Sequence, residues 1–143
     1  MNVAGERWPM TKIQMRNGGD VIKKASDLML DSVDRSLQAI GMDPEAIHIL
    51  LPHQANSRFE KWLKMRWNQR GLPKPAPEID INLEYSGNNS SASWGRRMAE
   101  RWKKFNEGQI IFSPFVGAGR NWDARELTHG NIAMQMGKLE RFQ

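Results

Sequence analysis

The 143 residues read as one α/β domain built on a five-stranded mixed sheet with helices on its faces. Three observations predict it. Short apolar runs of strand length alternate with longer segments whose apolar residues recur every three or four positions. The resulting order, β-α-β-α-β-α-β-β, implies crossover connections and hence a largely parallel sheet between helical layers. Composition agrees, because 39% hydrophobic and 26% charged residues are the proportions of a soluble globular chain. No repeat, low-complexity stretch or domain boundary interrupts the chain, so residues 1–143 are expected to form a single domain, with a core over about 11–127 and a tail over 128–143.

The elements follow in order. Thr11 to Met15 predicts a short strand, and Asn17-Gly18-Gly19 a turn. From Val21 onward, Ile22, Ala25, Leu28, Met29, Ser32, Val33, Leu37 and Ile40 trace the buried face of a helix, which Gly41 closes. Ile47 to Leu51 is a short apolar run suited to a buried strand, and Pro52 stops it. A second helix spans about Asn56 to Arg70, with Phe59, Trp62, Leu63 and Trp67 on one face. Residues 71–77 contain three prolines and form a connector without regular structure. Ile79 to Leu83 alternates strictly, as a half-buried edge strand does. A polar turn at 87–91 leads to a helix over roughly 90–106, striped by Trp94, Met98, Trp102 and Phe105. Gln109 to Phe112 is a buried strand, Gly117-Ala118-Gly119 a tight turn, and Asn121 to Leu127 a last strand.

Composition excludes several function classes. The chain has no cysteine, so it supplies no disulfide, no thiolate metal ligand and no thiol nucleophile. No apolar run approaches the ~18–20 residues of a membrane-spanning helix, and no signal-peptide core is present, so a cytoplasmic location is expected. The three histidines are too scattered for a zinc pattern, and no metal site is expected. The net charge of +5 points to an acidic partner. That excess is local. Residues 54–77 hold six cations (Arg58, Lys61, Lys64, Arg66, Arg70, Lys74) against Glu60 alone, and the remaining residues carry fifteen of each sign.

Chemistry concentrates where strands end. His53 follows the buried strand 47–51 and precedes a helix, and open α/β sheets bind ligands at the carboxyl ends of their strands. His48 lies inside that strand and reads as a structural histidine, and His129 is assigned no role. Asn88 occupies the equivalent place after the strand 79–83, either as a site residue or as a turn or helix-capping residue. The Gly117–Gly119 turn is a third loop on that edge, where glycines let a backbone N–H approach a ligand closely. Ser90, Ser91 and Ser93 lack a nucleophile-elbow pattern and read as helix caps.

Three motifs bear a family resemblance. His53-Gln54-Ala55-Asn56 resembles the HQAN motif of the β-ketoacyl-acyl-carrier-protein synthase III family. Gly87-Asn88-Asn89-Ser90-Ser91-Ala92-Ser93 is similar to that family's GNTSAAS segment, and Gly117-Ala118-Gly119 followed by Trp122 to its glycine-rich turn. Order and spacing agree over residues 15–127, which lie along the family's C-terminal half. The resemblance implies one thiolase-like half-domain, of which the complete fold stacks two in a five-layer sandwich. It also implies roles. His53 and Asn88 match two members of a Cys-His-Asn triad and would stabilise the enolate formed as malonyl-carrier protein loses carbon dioxide. Gly117, Ala118 and Gly119 would supply an oxyanion-hole N–H, and Asn56 would contact the pantetheine arm. Arg58 matches an arginine that docks the acidic carrier protein, and Lys61 and Arg66 would extend that surface. No bound cofactor is implied, since substrates arrive on phosphopantetheine or coenzyme A.

The triad's cysteine lies in the family's other half. The chain is therefore expected to work with a cysteine-bearing N-terminal half or a homologous subunit, as part of an acyltransferase performing decarboxylative Claisen condensation in fatty-acid or polyketide-type synthesis. The alternative is a non-catalytic module binding carrier protein or a related subunit. Nucleic-acid binding rests on the high pI alone and is disfavoured by the motifs. One half without its partner should expose apolar surface, so a homo- or hetero-oligomer is expected.

Overall fold

A computed structural model describes residues 18–53, 57–83, 87, 92–118 and 127–137. The expected strand at 11–15 and Asn17 of the expected turn lie outside these residues, whereas Gly18 and Gly19 of that turn are instead the first residues of a helix. The first described element is helix α1 (Gly18–Ile40), opened by Asp20 at the positive end of the helix dipole. Its buried face is Ile22, Ala25, Met29, Leu30, Val33 and Leu37. Leu30 joins this face unannounced, whereas Ile40, expected on it, is exposed where the helix runs past the sheet. Ser26 and Ser32 are buried at no energetic penalty because their hydroxyls donate to the Ile22 and Met29 carbonyls, and Ser32 also lies 2.9 Å from the Gly130 carbonyl. Gly41, at φ +66°, ends the helix in the left-handed conformation that glycine adopts without strain.

After a 3-10 turn (Pro44–Ala46) comes β1 (Ile49–Leu50), buried on both faces. Helix α2 (Phe59–Gln69) buries Phe59, Leu63 and Trp67 against α1 and the sheet. The Trp67 indole donates to the Pro73 carbonyl at 2.7 Å, which fastens the irregular connector to the helix. Trp67→Phe keeps most of the buried ring and loses that bond, so an unfolding free energy lower by about 1–2 kcal/mol is expected in urea titration. Strand β2 (Glu78–Ile79), helix α3 (Ala92–Arg101) with a 3-10 extension (Trp102–Lys104), β3 (Ile110–Ala118) and β4 (Leu127–Gln135) complete the chain.

The described strands form one mixed sheet in the order β2-β1-β3-β4. β1 runs parallel to β2 and β3, and β4 is antiparallel to β3 over nine residue pairs, from Ile110↔Gln135 to Ala118↔Leu127. Helices α1 and α2 cover one face, where Leu50, Phe112 and Val116 meet the α1 and α2 side chains. α3 covers the other, where Ile49, Leu51 and Ile111 meet Met98 and Phe105. This is the expected α/β class.

Four local expectations are corrected. Residues 128–135 belong to strand β4 and are no tail; the strand alternates weakly because both of its faces are partly covered. Gly117 and Ala118 are ladder residues of β3 and not a tight turn, since pairing with Thr128 and Leu127 consumes them. Regular pairing of β2 ends at Ile79, the first residue of the alternating stretch. Finally, Trp102 is 49% exposed, because α3 tightens into a 3-10 turn at that residue and rotates it off the buried stripe. The expected strand at 121–127 falls outside the described residues up to position 126.

Candidate functional site

The site is built on the α3 side of the sheet, at the carboxyl ends of β1 and β3. Parallel pairing continues past β1, because the Leu51 N–H donates to the Phe112 carbonyl at 2.8 Å and the His53 N–H to the Pro114 carbonyl at 3.0 Å. Strand alternation then sets Ile49, Leu51 and His53 in one column facing α3, beside Ile111, Ser113 and Phe115 on β3 and Met134, Ile132 and Gly130 on β4. His53 lies opposite Phe115 in this grid. The Phe115 ring spreads over Gly130, where a Cβ would come within 2.5 Å of the ring tip. Phe115 and Ile132 remain 45% and 42% exposed, an apolar strip beside the histidine.

Burial lowers the His53 pKa from its ordinary 6.5. The imidazole is therefore neutral at pH 7, able to donate one hydrogen bond and accept another. Because the folded state holds the neutral form, the unfolded chain binds the proton first on acidification. Stability is therefore expected to fall as pH drops from 6.5 toward the lowered folded pKa, and to level off below it. His53→Gln should flatten that segment of the stability–pH profile in urea titrations at successive pH values.

The other histidines sit elsewhere. His48 is exposed, and its Nδ1 accepts the Ile110 N–H at 3.2 Å, a structural role as expected although not a buried one. His129 contacts Arg35 on the α1 side. Asn88, Asn56, Gly119, Ser90 and Ser91 lie outside the described residues. Ser93 is buried in the first turn of α3. Gly117 and Ala118 are at the end of β3, beyond Phe115, on the same sheet edge as His53.

The cationic helix divides in two. Arg70 spans three α1 aspartates, with its guanidinium 2.8 Å from Asp31, 2.9 Å from Asp34 and 3.8 Å from Asp27. Arg66 lies 3.1 Å from Asp27. These two charges, Arg66 of the expected docking set among them, are engaged between α1 and α2. Lys64 pairs with Glu60 at 2.6 Å. Arg58 and Lys61 are exposed at the start of α2. The excess confined to one segment in sequence is thus partly neutralised in space.

A second polar cluster escaped the sequence reading. The alternating residues Glu78, Asp80 and Asn82 turn toward α3. Asp80, 4% exposed, accepts from Arg97 at 2.5 and 2.9 Å and from Arg101 at 2.8 Å. Arg101 also reaches Glu78 at 2.5 Å, a bond that raises its pKa. The Asn82 amide donates to Glu100 at 3.1 Å. Hydrogen bonds from Arg96 and then Asn82 lower the Glu100 pKa. The spacing of Arg97 and Arg101, one helical turn apart opposite alternating carboxylates, was the available signal.

Among the described residues, no group of three or more acidic or histidine side chains could hold a metal, and no helix is long and apolar enough to cross a membrane.

An α/β sheet of this order, with a histidine at the carboxyl end of a central strand, defines a thiolase-like unit, and solved structures agree. The chain superimposes on 3-oxoacyl-(acyl carrier protein) synthase III from Pseudomonas aeruginosa PAO1 with a TM-score of 0.66 at 27% identity, covering 85% of this chain and 34% of that one. A priming β-ketosynthase of the R1128 polyketide pathway shares the fold, with a TM-score of 0.62 at 22% identity. The chain is a relative of β-ketoacyl-[acyl-carrier-protein] synthase III. It is 34% identical over 107 residues to that protein from Caldanaerobacter subterraneus and 31% identical over 128 residues to synthase III 1 of Halalkalibacterium halodurans. It spans 73% and 88% of its own length in these matches, but only 31% and 37% of theirs, about a third of the length of the relatives. No protein-family model matches the chain.

Proposed function

We propose that the chain is the C-terminal catalytic part of a 3-oxoacyl-[acyl-carrier-protein] synthase III-like acyltransferase, acting with a cysteine-bearing N-terminal half that it does not itself contain. The carrying observation is His53, a partly buried imidazole held neutral at the carboxyl end of a central strand, within the motif shared with the family. In this reading His53 and Asn88 donate hydrogen bonds to the thioester carbonyl of a malonyl group. They stabilise the enolate oxygen as the carbon–carbon bond to the carboxylate breaks and carbon dioxide leaves. The enolate carbon then attacks the acyl group on the partner's cysteine, and the thiolate departs. One backbone N–H of the Gly117-Ala118-Gly119 stretch that the β3–β4 pairing leaves over contributes to the oxyanion hole, and Asn56 meets the pantetheine arm.

The exposed Phe115 and Ile132 give the missing half an apolar surface on the α3 side. With no cysteine in the sequence, the acyl-bearing thiol in this reading comes from that half.

Docking of acidic carrier protein falls to Arg58 and Lys61, with Arg66 withdrawn toward Asp27. Calorimetric titration with holo-carrier protein tests this. Arg58→Glu combined with Lys61→Glu is expected to weaken binding about tenfold or more at low salt, with less loss at high salt. Arg66→Gln is expected to change stability more than affinity. Equal carrier affinity in the Arg58/Lys61 variant and the wild type would remove α2 from the docking surface.

A further inference from the structure

The Asp80 cluster ties together the two stretches of chain that flank the Asn88 motif. On the upstream side stand Glu78, Asp80 and Asn82, followed by Leu83, whose carbonyl accepts the Gly87 N–H at 2.9 Å. Gly87, left-handed at φ +63°, directly precedes Asn88. On the downstream side stand Arg97, Glu100 and Arg101 of α3, the helix that opens at Ala92. The bonds between the two sides are directional. The Arg97 guanidinium donates twice to one Asp80 oxygen, at 2.5 and 2.9 Å, and Arg101 donates to the other at 2.8 Å. Asn82 donates to Glu100 at 3.1 Å. Apolar packing leaves α3 freer than this. Met98 and Phe105 share a core with Ile49, Leu51 and Ile111, non-directional contacts that survive a small slide of the helix along the sheet. A forked guanidinium on a carboxylate that is 4% exposed does not survive it. Stability alone does not account for such a cluster, because apolar side chains of similar volume often replace buried ion pairs without loss. What the charges add is a fixed register.

We propose that Asp80, gripped by Arg97 and Arg101, is a positioning residue for Asn88. It fixes the register of α3 against the stretch 78–83, and with it the place from which the connecting segment presents its asparagine. The proposal rests on the condensing-site reading above, in which Asn88 donates to the thioester carbonyl. Asp80 touches no substrate in this scheme and acts through Asn88 alone. The leverage is large, because a donor misplaced by about 1 Å costs about 10²-fold in rate.

The test separates positioning from stability with the variant Asp80→Leu, Arg97→Met, Arg101→Met, which keeps α3 packed and removes the directional bonds. In the full chain, hydrogen exchange at the Gly87 amide is expected to quicken about tenfold or more, while amides of α1 and of the β3–β4 ladder keep their wild-type rates. In a mixture with a cysteine-bearing half, kcat for malonyl-coenzyme A decarboxylation is expected to fall about 10- to 10²-fold with KM unchanged. Arg97→Lys, which keeps the charge and loses the fork, should shift both readouts in the same direction by less. A folded triple variant with wild-type kcat would show that the cluster only packs, and would overturn the proposal, whatever its exchange rate. A lower kcat with wild-type exchange at Gly87 would place the effect away from Asn88 and would overturn it too. Should the triple variant fail to fold, Arg97→Lys decides by the same two readouts. If the wild-type mixture releases no carbon dioxide, the assignment to Asn88 falls together with the condensing-site reading. The Gly87 exchange rate would still show whether the cluster holds that segment.

Discussion

Asp80→Ala is expected to lower the unfolding free energy by about 3 kcal/mol, more than any other single polar change to the described residues. The carboxylate is 4% exposed, and its two arginines keep only 20% and 15% of their side chains in contact with water. Deleting it leaves two guanidinium groups facing each other in a site where water cannot fully replace the lost oxygens. Arg101 retains Glu78, which places the cost at the lower end of the range for broken buried pairs. Removing the whole cluster should behave differently. Asp80→Leu with Arg97→Met and Arg101→Met exchanges an ion cluster for apolar contact and is expected to be neutral or stabilising. Urea unfolding followed by tryptophan fluorescence reads both, and the opposite ordering of the two variants would refute this account of the cluster.

His53→Ala is the largest functional effect expected. In an assembly with a cysteine-bearing half, loss of the imidazole should lower malonyl-thioester decarboxylation about 10²–10³-fold, the usual consequence of removing one preorganised donor from a developing oxyanion. Its stability cost should be small, because the imidazole is only partly buried. Binding of the malonyl thioester should survive, so the loss is expected in kcat and not in KM. Retention of full decarboxylation in the variant would remove His53 from the chemistry.

Much of this was legible in the chain. The run at 47–51, the α1 periodicity and the stretch before Pro52 place His53 at a strand's carboxyl end without any coordinates, because burial on both faces leaves little else for such a run to be. Where the reading missed, tertiary context had overridden local pattern. Ile79 to Leu83 alternates as a strand with a solvated polar face would, yet that polar face turns inward, because α3 supplies arginines at matching spacing. Residues 128–135 lacked a clear period because neither face of the strand is fully buried, and eight pairings with β3 held them in place. The cations of α2 looked like one docking face. Arg66 and Arg70 were in fact answering aspartates that lie some forty positions earlier in the chain, a distance that no local window spans.

The central proposal is that this chain supplies the histidine-and-asparagine part of a condensing site and that a cysteine-bearing half supplies the thiol. The most direct test mixes the full chain with a cysteine-bearing N-terminal half of a synthase III relative and measures carbon dioxide release from malonyl-coenzyme A. The account predicts release by the mixture, abolished by His53→Ala or Asn88→Ala, and none from either component alone. A stable complex of the two that releases no carbon dioxide would contradict it.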